Sequence, residues 1–457
     1  MNRYFTAFLQ RWLRSSSRLP LVIRGARQVG KTWLVRDFAE REGRVLLEVN
    51  LERDPRLARH FAEPDPRRVF DDLSLTLDVR AAPGGAILFV DEIQNAPEVL
   101  ARLRWFAEEL PELAVVAAGS LLEFALRDFT HSMPVGRIQY AHVEPLTFAE
   151  FLAAHGQHAL QDRLAQYRPG APLADAVHQL AASWYERFAM AGGMPAVVAL
   201  DAAGAHADEC RARQRDLIQT YRDDFAKYSG RLDYRLLDTV LLAATASLGN
   251  KLVYSRVGDG VKSVHVKRAV ELLAMARLCH LIPHSAANGV PLAAEANERI
   301  RKVALLDVGL AHGLWNTPAA RRFPRWEELP PQMRGGLTEQ LAAQQLRTAT
   351  GTPAMMGQVH HWRREGASSA EIDYLVEVDG RIVPVEIKSG AAGAMKSMHQ
   401  FMYEKALPVA VRLDRNPPSL QEIDVKTTQG QRVRYRLLNL PHYLAGLLPP
   451  LLRDLPQ

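Results

Sequence analysis

The run Gly25-Ala26-Arg27-Gln28-Val29-Gly30-Lys31-Thr32 fits the pattern Gly-x-x-x-x-Gly-Lys-Thr, with an apolar run at 21–24 before it and an amphipathic helical stretch at 33–41 after it. Glycines at those positions let backbone N–H groups curl around an anion, and the start of the helix adds its positive dipole end. In such a loop Lys31 reaches the β- and γ-phosphates and Thr32 ligates Mg²⁺. ATP with Mg²⁺ is therefore the expected ligand. A second run, Ile87-Leu88-Phe89-Val90-Asp91-Glu92, is an apolar strand ending in two carboxylates. Asp91 is expected to hold the water shell of the Mg²⁺, and Glu92 to orient or deprotonate the attacking water. Ser120, at the tip of the apolar run 114–118, either contacts the γ-phosphate or the lytic water or caps the helix 121–126. Arg137 either supplies a cation to phosphates of its own or a neighbouring subunit, worth about 10³ to 10⁵ in rate where such a finger operates, or pairs with a surface carboxylate.

A second constellation lies near the C-terminus. A two-residue turn at Asp379-Gly380 sets 378 opposite 381 and, counting outward, Asp373 opposite Glu386. Their Cβ atoms are then about 4.5–5.5 Å apart. Strand periodicity puts Lys388 on the face of Glu386, with Val385 and Ile387 on the other. Like charges directly opposed are destabilising without compensation, and a divalent cation compensates them, with the lysine orienting or deprotonating a water. This Asp…Glu-x-Lys arrangement resembles the PD-(D/E)xK nuclease core, which implies a further metal-ligating glutamate on the preceding helix. Glu339, in the helical run 337–347, is the candidate. A helix at 395–405 and a strand at 408–413 complete the implied order. His360, His361, Arg363 and Arg364 precede Asp373 and are candidates for phosphate contacts, or form an exposed basic strand. The bland alternative is that Glu386 and Lys388 form a surface ion pair, worth about 0–1 kcal/mol.

The elements that position these groups fall into three rhythms. From 19 to 151, short apolar runs (21–24, 45–51, 86–90, 113–118, 137–143) alternate with amphipathic stretches, the pattern of a parallel sheet wrapped by helices. One further run, 45–51, intervenes between the phosphate-loop strand and the carboxylate strand, which suits the P-loop class with an additional strand and a catalytic glutamate. From 152 to 290 the spacing is helical. There, helices at 236–247 and 264–281 joined by a turn-rich link at 253–261 resemble a winged helix-turn-helix, with Lys262, His265, Lys267 and Arg268 near the start of its second helix. From about 300 strands and helices alternate again. The expected fold is thus α/β multidomain: a P-loop domain at 1–151, a helical region with a winged-helix-like element at 152–290, and a restriction-endonuclease-like α/β core at 291–457. Residues 63–68, 316–331 and 366–370 read as loops.

Composition bounds the rest. The chain has 457 residues, 47% hydrophobic and 24% charged, which excludes a disordered or fibrous protein and supplies several cores. Cys210 and Cys279 sit in no metal or disulfide spacing and read as buried small hydrophobes. Arg11, Arg14 and Arg18 interrupt any apolar leader, and no apolar run is long enough to span a bilayer, so a cytoplasmic protein without a membrane partner is expected. The net charge of +6 permits a polyanion partner without demanding one.

The phosphate loop, Val90-Asp91-Glu92-Ile93-Gln94, Gly119-Ser120, Gly136-Arg137 and Pro145-Leu146-Thr147-Phe148-Ala149-Glu150-Phe151 together resemble a prokaryotic AAA+ ATPase family that joins this module to a C-terminal region of unknown function. Gly192-Gly193-Met194-Pro195, Arg222-Asp223-Asp224, residues 266–273 and Leu306-Asp307-Val308-Gly309-Leu310 extend the resemblance over most of the chain. It implies ATP binding, a sensor-1 role for Ser120, and oligomers among its relatives. Leu121 departs from the commonest pattern, where a small polar residue is frequent. The leading reading is a Mg²⁺-dependent ATPase that couples its nucleotide state to DNA, with metal-dependent cleavage by Glu339, Asp373, Glu386 and Lys388. The alternative is a non-cleaving ATP-gated switch or scaffold for nucleic acid or protein.

Overall fold

The computed structural model describes residues 3–127, 136–228, 233–315, 326–364, 370–390 and 393–455. Parts of the expected loops 316–331 and 366–370 lie outside them.

Strands apolar on both faces belong inside a sheet covered on two sides. Every residue of Ala86–Asp91 (β3) and Ala114–Gly119 (β4) is buried. With Leu21–Arg24 (β1), Val45–Asn50 (β2) and Gln139–His142 (β5) they form a parallel sheet in the order β2-β3-β4-β1-β5. β4 lies between β1 and β3, while β2, the strand that separates them in sequence, is at the edge. Period-two alternation sends Ile87 and Phe89 to one face, against Phe5–Arg14 (α1) and Lys31–Arg41 (α2). Leu88 and Val90 go to the other, against Pro66–Thr76 (α3) and Pro97–Glu109 (α4). The patch at 63–68 is only partly loop, because Asp65 caps α3 by accepting from the Arg67 N–H, with Pro66 at the first helical position. After Leu122–Arg127 (α5) and β5, Thr147 and Glu150 form a reciprocal capping box that starts Phe148–Ala154 (α6).

The middle is helical as expected: His158–Ala165 (α7), Asp175–Ala191 (α8), Pro195–Ala202 (α9), Ala207–Tyr228 (α10), Tyr234–Ala246 (α11) and Ser263–Met275 (α12). The helix expected over 264–281 is too long. It stops at Met275, Arg277 turns the chain with a left-handed φ of 59°, and a strand, Cys279–Ser285 (β6), begins. β6 pairs antiparallel with Ala296–Leu305 (β7). The boundary expected at 290/291 therefore falls inside a hairpin rather than between domains.

Beyond Val308–Leu314 (α13) and Pro331–Ala349 (α14) come Val359–Arg363 (β8), Glu371–Val378 (β9), Arg381–Ile387 (β10), Lys396–Lys405 (α15) and Val409–Asp414 (β11). This is the expected succession of helix, three strands, helix and strand. Ser419–Lys426 (β12), Arg432–Pro441 (β13) and Leu448–Arg453 (α16) follow, and they were not read from the sequence. All eight strands from β6 onward form one mixed sheet, β12-β13-β11-β10-β9-β8-β6-β7. Among the described residues no helix is long and apolar enough to cross a membrane.

The three regions share one continuous apolar core, running from Phe5 and Ile23 through Phe188 and Val270 to Val385 and Leu444. A buried polar joint crosses it. Asp307, wholly buried, accepts the N–H of Gly193 (2.7 Å), the N–H of Gly309 (2.9 Å) and the amide of Gln344 (2.9 Å). Gly193 in turn accepts the Leu146 N–H at 2.7 Å through its carbonyl. Gly192 has φ 76°, and a Cβ there would run into Asp307, so only glycine lets the chain pass. One turn before Gln344, Gln340 holds both backbone groups of Leu305 (2.7 and 2.9 Å). Burial pushes the Asp307 carboxyl up to about 6, against the pull of its three donors. Asp307→Asn replaces an acceptor oxygen by an amide facing N–H groups, and is expected to destabilise the chain by about 1–3 kcal/mol for each donor left unpaired. Denaturant unfolding checks this, and a change within about 0.5 kcal/mol, typical of an indifferent surface position, contradicts it.

Candidate functional site

β1 feeds its chain straight into the phosphate loop, and α2 begins at Lys31. The loop passes so close under residue 143 that a Cβ on Gly25 would lie 2.5 Å from the Val143 carbonyl oxygen. Lys31 is buried, and its ammonium donates to the carbonyls of Gly25 (3.0 Å) and Ala26 (2.9 Å). Burial draws it down to about 8, partly offset by Glu92 and Asp91. Thr32 Oγ1 donates to Asp91 Oδ2 at 2.8 Å, and Asn50 Nδ2 to the same oxygen at 3.3 Å. Glu92 Oε2 accepts from Ser120 Oγ at 3.3 Å and from the Gln94 amide. The tips of β1, β2, β3 and β4 thus bring the expected groups to one edge of the sheet, the carboxyl end of parallel strands, where open α/β sheets bind ligands. The hard oxygens of Thr32 and Asp91, already in contact, suit Mg²⁺.

Two helical groups from the middle hold the loop. Arg27 forms an ion pair with Asp224 of α10 (2.8 Å) and a weaker one with Glu52 (3.4 Å), and the Tyr221 hydroxyl donates to the Arg27 carbonyl at 2.9 Å. Asn50, Tyr221 and the pairing of Asp224 were not read from the sequence. Asn50 had a signal, a polar residue ending an apolar strand; the α10 contacts join residues almost two hundred positions apart and had none. Arg137 does not join this group. It lies two residues before β5, exposed, and pairs with Glu108 of α4 at 2.7 Å, so the surface ion pair is what forms.

The C-terminal hairpin has the expected register, from Arg381 opposite Val378 to Val385 opposite Tyr374. Asp379 (φ 50°) and Gly380 (φ 71°) make the left-handed turn that sets it. Asp373 Oδ2 accepts the Ile387 N–H at 2.7 Å. Lys388 donates to Glu386 Oε1 at 2.6 Å, and Glu386 is buried, so this is not a surface pair. Both faces of β10 are covered. The residue missing from the sequence reading is Lys302 of β7. Its ammonium lies 2.9 Å from Glu371 Oε1, 3.5 Å from Glu339 Oε2 and 3.8 Å from Asp373 Oδ1. Burial acts to lower Lys302, but Glu339, Asp373 and Glu371 outweigh it and hold the group above its ordinary value. Burial and then Asp373 push Glu339 and Glu386 upward, and burial raises Asp373.

Expected metal ligands Glu339, Asp373 and Glu386 are thus brought near one another but not around a metal position. Lys302 pairs with Glu339 and Asp373, and Lys388 with one oxygen of Glu386, whose buried Oε2 has no hydrogen-bond partner among the described residues. Among the described residues no three His, Cys, Asp or Glu are arranged to hold a metal ion. His360 and His361 are buried, and burial lowers both, so neither is available to a phosphate. Arg363 is exposed, and Arg364 pairs with Glu404 at 3.0 Å. In the middle, Lys262, His265, Lys267 and Arg268 are exposed at the start of α12, Lys267 with Glu271 at 3.7 Å.

Residues 17–152 match a family model described as an AAA domain. The N-terminal module is similar to that domain. Beyond it, residues 182–321 and 334–429 match two domains of unknown function, DUF8612 and DUF4143. No curated protein matches the chain. Solved structures similar to it include the Aeropyrum pernix ORC1 protein in complex with DNA, at 16% identity over 70% of this chain and 92% of that one, with a TM-score of 0.26. The Aeropyrum pernix ORC2 protein in ADPNP–ADP complexes matches at 15% over 62% and 88%, with a TM-score of 0.25. The C. elegans PCH-2 structure matches at 13% over 39% and 49%, with a TM-score of 0.22.

In the N-terminal module Gly25→Ala forces a methyl group into the Val143 carbonyl. The loop or residue 143 must shift, and binding of fluorescent ATP is expected to weaken at least tenfold, the equivalent of about 1.4 kcal/mol. Unchanged affinity in a folded variant contradicts the close approach.

Proposed function

We propose that this chain is a Mg²⁺-dependent AAA-type ATP hydrolase whose nucleotide state is coupled to DNA binding by its middle module. The observation that carries the proposal is the contact of Thr32 with Asp91, with Glu92 and Ser120 beside it, at the mouth of the phosphate loop. The backbone N–H groups of residues 26–31 would cradle the phosphates, with Lys31 turning from the loop carbonyls to meet them. Thr32 and Asp91 would hold Mg²⁺, which screens phosphate charge when bound. Glu92 takes the proton of the attacking water, and Ser120 positions Glu92.

Two ion pairs would pass the nucleotide state onward. Arg27 of the loop meets Asp224 on α10. Glu123 on α5, which follows Ser120, meets Arg277 at 2.7 Å in the turn after α12. DNA binding is supported by the order of α11, the bridge of Lys251 to Lys302, a short helical turn at Tyr254–Arg256, α12 and the β6–β7 hairpin, which is that of a winged helix. Its second helix presents Lys262, His265, Lys267 and Arg268 to solvent at the end that enters a groove in such folds. Metal-dependent cleavage has the register of Asp373 with Glu386 and Lys388 in its favour and the position of Lys302 against it.

Turnover measured across a panel of DNA forms tests the proposal. Lys31→Ala is expected to abolish hydrolysis, and Glu92→Gln to retain ATP binding while losing about 10²- to 10⁴-fold in kcat. Lys267→Ala and Arg268→Ala should each weaken binding to all DNA sequences alike and reduce the salt slope by about one. If no DNA binds at low salt and none alters turnover, the coupling is refuted.

A further inference from the structure

A lysine whose side chain is 4% exposed is a costly thing to build unless its charge is met. Lys302 meets it with three carboxylates from two elements, Glu339 of α14 and Glu371 and Asp373 of β9, and its ammonium lies 5.7 Å from the centre of the Tyr374 ring. An ammonium has three N–H donors, and here it has three acidic neighbours. Carboxylate oxygens lie 2.9, 3.5 and 3.8 Å from the nitrogen.

We infer that the Lys302 ammonium is the resident cation of this cluster, standing where its carboxylates would otherwise gather a divalent metal, and that the C-terminal core therefore does not cut phosphodiesters by a metal-dependent route. Lys302 is held at its backbone and buried along its stem. Its backbone is paired on one side with Ile282 of β6 and on the other with Lys251, and its stem is enclosed. An ammonium already seated among the carboxylates repels an incoming divalent ion, which must compete with it for the same oxygens. Glu386, the remaining ligand expected of a metal site, gives its Oε1 to Lys388, while its buried Oε2 has no hydrogen-bond partner among the described residues. The cluster does a different job: it clamps the hairpin that follows α12 onto α14 and β9, fixing the middle module to the C-terminal sheet. This inference stands apart from the nucleotide reading, because a chain that fails to hydrolyse ATP leaves it untouched.

Titration of the full-length protein with Mn²⁺, free ion being counted by its paramagnetic resonance signal, tests it without nucleotide. The parent and Asp373→Asn are expected to bind the same number of ions, and Glu386→Gln provides the same comparison independently. Folded Lys302→Met is expected to bind one ion more than the parent, and Lys302→Met combined with Asp373→Asn to lose it again. A parent ion that disappears in Asp373→Asn or Glu386→Gln overturns the inference, and that comparison does not need Lys302→Met to fold. A folded Lys302→Met that gains no ion overturns it as well.

Discussion

Burying an ionised carboxylate is tolerated only where donors surround it, and Asp307 is the point at which this chain commits to that arrangement. Its donors come from Gly193 after α8, from Gly309 at the start of α13 and from Gln344 of α14. Gly193 also ties back to Leu146, the last turn before α6. One side chain thus fixes where the nucleotide module, the middle helices and the C-terminal helix meet. The tolerance is narrow, since Gly192 admits no side chain and Gln340 and Gln344 must read the backbone of 305–308 in one register.

The surrounding core makes the joint mechanically relevant. Because apolar packing is continuous across all three regions, the modules are not beads on a linker, and a displacement at the phosphate loop has packed neighbours to act on. Buried or half-buried ion pairs cross the seam, among them Arg27 with Asp224 at 2.8 Å, Arg347 with Glu144, and Arg277 with Glu123. Such pairs contribute little net stability when solvated alternatives exist, but breaking one partner of a buried pair is costly. They therefore specify relative position more than they hold the chain together.

The sequence was most informative where a local pattern decides the outcome. Strand tips and phosphate loop were legible because strand, glycine loop and helix are contiguous, and the hairpin register followed from Asp379-Gly380 because turn geometry fixes pairing outward. What escaped were long-range partners. Lys302 lies 37 positions from Glu339 and some seventy from Glu371 and Asp373, and no spacing rule links β7 to β9. The helix expected through Leu281 failed because Cys279, Leu281 and Ile282 fit a buried strand as well as a helix, and the left-handed Arg277 that separates them has no sequence signature. His360 and His361 looked like a basic strand, yet the sheet continues over them.

In the proposed coupling, nucleotide state reaches α12 through contacts such as Arg27 with Asp224. Linkage requires that if DNA and ATP sense each other, each changes the affinity of the other by the same factor. The direct measurement is the DNA affinity of the full chain with a non-hydrolysable ATP analogue and with ADP, in the parent and in Asp224→Asn. The affinities are expected to differ by about 5- to 150-fold between the two states of the parent, the range of ordinary allosteric coupling, and by a smaller ratio in Asp224→Asn. Equal DNA affinity in both nucleotide states of the parent would contradict the coupling.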